Sequence, residues 1–134
     1  MSRKSLCLTV AIGLFCVAAP VLAHHSVAAE FDTSKPISIT GTVKQVDWMN
    51  PHIYTHIEVK ENGKVTIYKI EGGPPNSLYR QGWRKDSLKI GETVSVTGIR
   101  AKVATSTNIG NATIKTADGK TIYSGRGNAG GYQQ

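Results

Sequence analysis

Residues 24–134 hold 19 Val and Ile against two Leu, Leu78 and Leu88, with 12 Thr besides. No feature constrains the fold more. β-branched side chains suit a pleated surface and lose rotamer freedom in helices. Turn signals recur at short intervals, as an all-β barrel or sandwich requires. A strand is expected over 36–48, with Ile37, Ile39 and Val43 on one face. The apolar parity then shifts to Val46 and Trp48, which predicts a bulge and a bend. Gly41 gives the backbone room to curl. A second strand is expected over 52–60, with Ile53, Thr55, Ile57 and Val59 inward. Glu61-Asn62-Gly63-Lys64 is a hairpin turn, and the third strand covers 65–71 with its faces ambiguous.

Gly72-Gly73-Pro74-Pro75 stops the sheet. Asn76 is placed to cap a short helix over 77–81, and Gly82 suits the left-handed position past its end. Trp83 is then set to pack back on Leu78. A helix this short does not persist alone, so it must plug something. Strands follow over 92–102, with Val94 and Val96 inward, and over 112–117. An Asp118-Gly119 turn returns the chain through Ile122. This element order predicts a five-stranded, OB-like small barrel with one short helix between strands three and four. A small β-sandwich is the alternative.

The first 23 residues read as an export signal. Arg3 and Lys4 precede an apolar run from Leu6 to Val17, Pro20 breaks it, and Val21-Leu22-Ala23 fits a peptidase site. A retained anchor is disfavoured by Gly13, Pro20 and the Ala-rich end. A lipoprotein is disfavoured by Phe15 before Cys16. Cleavage after Ala23 removes Cys7 and Cys16, leaving no thiol for a disulfide or a thiolate metal site. The formal charge falls from +7 to +5. The expected organisation is signal 1–23, arm 24–35, β domain 36–124 and a Gly-rich tail 125–134. Localisation is expected to be periplasmic or secreted, with no stable membrane span after cleavage.

His24-His25-Ser26, Trp48-Met49-Asn50-Pro51-His52, Glu71-Gly72-Gly73, and Gly82-Trp83 with Asp86-Ser87-Leu88-Lys89 and Gly91 occur together. In these the chain resembles a family of small exported bacterial proteins classed as a domain of unknown function, over roughly 24–124. The resemblance implies an exported single-domain β protein and carries no activity with it.

Three constellations could carry function. Cleavage after Ala23 frees an α-amine on His24, which with its own ring nitrogen can chelate copper. His25 or His52 would complete that metal site. The competing reading is two polar residues in a mobile arm. His52 and His56 stand about 13 Å apart along a strand at roughly 3.3 Å per residue, so one ion cannot take both. His52 follows Pro51 at the first hairpin, where it could instead brace the turn through Asn50. His56 reads as a strand residue paired across the sheet.

The second constellation is aromatic: Trp48, Tyr54, Tyr68 and Trp83, with Arg100. OB-type modules bind oligosaccharides or oligonucleotides on strands two and three. The two Trp read better as core and plug, and Tyr54 as the surface aromatic. Asn50, His52, Tyr54 and Arg100 are therefore the candidate ligand-binding residues. The third constellation, Arg80, Arg84, Lys85 and Lys89, reads as a solvated basic face.

No Ser–His–Asp signature, phosphate loop or nucleotide fingerprint occurs. Asp47, Glu58 and Glu71 are scattered along strands. The sequence thus points to a non-catalytic binding module of uncharacterised ligand. Copper handling and an accessory role in an envelope complex are the alternatives. Export makes nucleic acid a poor candidate partner, which leaves a small ligand or an envelope protein.

Overall fold

The computed structural model describes residues 27–124 and divides the chain into units at 1–30 and 31–134. Residues 27–30 of the first unit are helical. The second unit is all-β: β1 (Phe31–Asp47), β2 (Tyr54–Glu61), β3 (Lys64–Glu71), helix α1 (Pro75–Arg80), β4 (Thr93–Ala101), β5 (Asn108–Thr116) and β6 (Thr121–Ser124).

β1 is the backbone of the architecture. Phe31 and then Pro36 to Thr42 pair with β4, with an irregularity between them, and Thr42 to Asp47 pair with β2, antiparallel in both cases. β3 follows β2 as a hairpin, and β5 follows β4. A short parallel pairing of Lys69 and Ile70 with Asn108 and Ile109 joins β3 to β5. The five strands therefore close into a ring in the order β1-β2-β3-β5-β4, with β6 added outside β5. The element order and the helix between β3 and β4 are those expected of the OB-like reading. The β3–β5 closure distinguishes the fold from two separate facing sheets.

The expected bulge is present. The β1–β2 register slips between Val43 and Gln45, leaving Lys44 as the extra residue. Val43 and Val46 both turn to the core as a result. At Gly41 an added Cβ would meet the Glu58 carbonyl oxygen, and Ile57 Cγ2 at 2.8 Å. Only a residue without a side chain lets β1 cross β2 so closely. Strand β1 begins five residues earlier than the sequence reading placed it. Phe31 is buried and lies against Gly110, where a Cβ would meet its ring at 2.7 Å. One aromatic ring filling a glycine's place is a signal that alternation alone does not carry.

The core is the inner face of the ring. Ile37, Val43, Ile57, Ile70, Val94, Val96, Ile109 and Ile114 are buried together. β3 resolves its ambiguous faces through Ile70: Ile70 is buried and Tyr68 packs partly against the core, while Val65 and Ile67 face out.

The helix starts differently from expectation. Pro74 is its N-cap residue and Pro75 its first residue, and Asn76 lies inside the first turn without capping it. Proline at N1 has its fixed φ already helical and lacks an N–H that would go unsatisfied there. The C-terminal end is as expected. Gly82 has φ +90°, Gly82 N–H donates to Tyr79 O at 3.1 Å, and Trp83 N–H to Leu78 O at 3.0 Å. These are the two bonds of a Schellman closure. Leu78 and Trp83 then line one small cavity of about 30 Å³ with Val46, Trp48, Ile53 and Leu88. The helix thus closes one end of the ring, with Trp83 packed against the core and Trp48 lining the same cavity.

Candidate functional site

The outer face of β1–β3 carries what the inner face excludes. Alternation along β2 sends Thr55 and Ile57 inward and Tyr54, His56 and Glu58 outward. Register adds the neighbours. Tyr54 is opposite Asp47 on β1 and Glu71 on β3, and His56 is opposite Gln45 and Lys69. Two cross-strand rows result, Asp47–Tyr54–Glu71 and Gln45–His56–Lys69. The sequence reading left Asp47 and Glu71 scattered. The register corrects this by setting one on each side of Tyr54, a relation that only pairing across three strands creates.

The side chains in these rows are tied together. His56 Nε2 lies 2.8 Å from Asp47 Oδ2, and Gln45 Nε2 donates to Asp47 Oδ1 at 2.5 Å. The Gln45 amide and then the His56 imidazole hold the Asp47 carboxyl below the usual carboxylate range, against the opposing effect of desolvation. The Lys69 ammonium sits 4.0 Å from the Tyr54 ring centroid.

His52 precedes β2 and extends the hairpin beyond its first residue. Gly72 N–H donates to Ile53 O at 2.7 Å, and Ile53 N–H to Gly73 O at 3.1 Å. Buried Ile53 therefore anchors the segment, and His52 projects beside Tyr54. Its Nδ1 lies 2.6 Å from Glu71 Oε1, with the side chain 40% exposed. The brace of this turn is thus Glu71, where the sequence reading had Asn50. The Asn50–Pro51 peptide is cis, and Asn50 is exposed at the end of the face.

The structure separates the remaining candidates. Arg100 lies exposed on β4 opposite Ile109, and β1 on one side, or β5 and β3 on the other, intervene before β2. It does not join the Asn50–His52–Tyr54 group. Trp48 and Trp83 belong to the cavity under the helix, which leaves Tyr54 as the outward aromatic. In the basic run, Arg84 folds back on the helix end. Its Nη1 donates to Trp83 O at 2.8 Å and Tyr79 O at 3.1 Å, and its guanidinium stacks 3.9 Å from the Tyr79 ring. That is a C-terminal helix contact. His24 and His25 lie outside the described residues. Among the described residues no cluster of three or more His, Cys, Asp and Glu could hold a metal ion. No helix among them is long and apolar enough to cross a membrane.

Comparison with known proteins adds a family. The model of DUF6152, a family of unknown function, matches residues 11–111. The chain belongs to that family. The DUF6152 match opens within the apolar N-terminal run and ends in β5. It takes in every residue of the Asp47–Tyr54–Glu71 face and leaves out β6. No curated protein and no solved structure matches the chain.

Proposed function

We propose that this chain is an exported, non-catalytic binding module that holds a small neutral polar ligand, of oligosaccharide type, on the outer face of β1–β3. The observation that carries the reading is the row Asp47–Tyr54–Glu71, with His52 and His56 at its two ends. An aromatic ring flanked by hydrogen-bonding side chains offers stacking and polar contacts to one ligand. In an OB-type module this is the face that oligosaccharides or oligonucleotides use.

Charge favours the first of those two. Asp47, Glu58 and Glu71 on the face are matched by Lys44, Lys60 and Lys69, and Lys44 and Lys60 both lie within 4 Å of Glu58. A polyanion needs a basic track, and this face is balanced. Export, supported by the N-terminal sequence, points the same way. The test is titration with neutral tetrasaccharides of glucan and N-acetylglucosamine type. Binding that is lost in Tyr54→Ala and His52→Ala, with folding intact, supports the reading. Binding unchanged by both substitutions removes the face from consideration.

One observation favours a second reading, in which the ligand is copper. Metal-ligating histidines commonly give their second ring nitrogen to a carboxylate, and Glu71 engages Nδ1 of His52 in this way. His52 would then present Nε2 to the ion, while the freed amine and ring of His24, with His25, form the chelate that the sequence by itself offers. A chain starting at His24 should bind Cu(II) more tightly than one with an extra N-terminal Gly. Equal affinity excludes the amine chelate.

A further inference from the structure

Among the described residues, the far edge of β3 is open along most of its length. β3 pairs with β2 over all eight residues, yet with β5 only at Lys69 and Ile70 among the described residues. The turn fixes which backbone groups face that open edge. Asn62 and Gly63 have φ +51° and +74°, the left-handed pair of a two-residue type I′ hairpin. Glu61 and Lys64 flanking such a turn bond to each other, so the following residues alternate between bonding β2 and pointing away. Val65, Ile67 and Lys69 form the outward set. Lys69 confirms the phase, because its N–H donates to Thr107 O at 3.1 Å, away from β2. The N–H and C=O groups of Val65 and Ile67 therefore face the open edge.

Their side chains are exposed as well, Val65 by 55% and Ile67 by 41%. Soluble proteins usually blunt an edge with a central charge, a proline or a bulge. The run Val65-Thr66-Ile67-Tyr68 has none of these, and Lys64 and Lys69 stand only at its ends.

We infer that this edge pairs with the same edge of a second copy of the chain, antiparallel, about a two-fold axis through Thr66. Hydrogen bonding across the axis requires outward residues to oppose outward residues, and Val65 opposite Ile67 of the second copy meets that condition. The same register sets Thr66 against its own symmetry mate and Lys64 against Tyr68. Apolar meets apolar, a cation meets an aromatic ring, and no two like charges are opposed. A surface that complements itself this way is what an isologous dimer requires. The contact is a strip of five residues, about 17 Å long. It is therefore expected to form a reversible dimer, because specific stable interfaces bury much more surface. Dimerisation leaves the Asp47–Tyr54–Glu71 row untouched.

Analytical ultracentrifugation of the purified protein tests this pairing. The expected result is a concentration-dependent monomer–dimer equilibrium. Val65→Lys, which adds a charge to the strip, and Ile67→Pro, which deletes an edge N–H, each weaken it by about tenfold or more, equivalent to about 1.4 kcal/mol. Circular dichroism of Val65→Lys should show an unchanged fold. The register has its own probe. Thr66 is a non-hydrogen-bonded pair with its mate, where Cα atoms lie about 4.5 Å apart, within disulfide reach. In a chain starting at His24, which has no cysteine of its own, Thr66→Cys should form a covalent dimer on oxidation while the unsubstituted chain does not. A monomer at every concentration, or a dimer indifferent to both edge substitutions, overturns the proposal. So does a strand from a different protein occupying the edge while the chain alone stays monomeric.

Discussion

The two faces of β2 are one strand read at alternate residues, and they are built on different physics. Inward, Ile57 is fully buried and Thr55 nearly so, in a ring closed by β3 and β5. Outward, Tyr54 and His56 remain half-buried among carboxylates, an amide and an ammonium. The inner face lowers free energy through removal of apolar surface from water, a term that is large and non-directional. The outer face gains less, because ion pairs that stay in contact with water contribute about 0–1 kcal/mol each. Organised polar groups that do little for stability are available for another task. The comparison therefore predicts that stability and binding separate by parity along the strand.

The largest effect should come from the inner face. Ile57→Ala removes a side chain with no exposure and leaves a cavity, at a cost of about 2–5 kcal/mol. Urea unfolding measures it, and a loss below about 1 kcal/mol would mean that the ring is loosely packed there.

Gly41→Ala should follow, at about 1–3 kcal/mol. The added Cβ would strike the Glu58 carbonyl and Ile57, so it disturbs the bend that places both faces. Thermal melting should show the loss, and a neutral result would place the bend elsewhere. Gly82→Ala is smaller, at about 1–2 kcal/mol, because it forces a side chain into the left-handed region at the helix end. Tyr54 should keep its neighbours in that variant, and tetrasaccharide affinity should be unaffected.

The smallest stability effects belong to the outer face. His52→Ala should change unfolding free energy by less than about 1 kcal/mol while abolishing ligand binding. A loss comparable to that of Ile57→Ala would make His52 a structural residue and break the comparison. The acid behaviour of Asp47 sharpens the same point. Its folded-state pKa lies below its ordinary value of 3.8. Its contribution is therefore fully present above that value and is lost as pH falls through the lower folded value. Asp47→Asn should flatten this small acid-side loss below about pH 4 and lower neutral-pH stability by the same small amount. An equal acid-side loss in the variant would assign it to other carboxylates.

The sequence made much of the ring legible and little of the site. The β-branched excess, the parity shift across Val43 and Val46, and the Asn62-Gly63 turn are local signals, and each corresponds to what the strands do. Gly82 and Trp83 closed the helix as expected because a Schellman motif is written in adjacent residues. Asn76 misled because the competing Pro74-Pro75 start needs no side-chain cap. The place of Phe31 was hidden, since its partner Gly110 lies four strands later. Long-range register likewise hid the site. Asp47 and Glu71 are 24 positions apart, and only the two pairings through Tyr54 make them neighbours. Strand order likewise sets Arg100 on β4, which is not a neighbour of β2, a placement that composition alone could not give.

Chemical-shift mapping by NMR, with a bound neutral tetrasaccharide, is the most direct test of the outer face as the binding face. The account predicts perturbations concentrated at Asp47, His52, Tyr54, His56 and Glu71, with the amides of Leu78, Trp83 and Leu88 unmoved. Perturbations centred on the cavity of Trp48, Leu78 and Trp83, with the Tyr54 row silent, would contradict it.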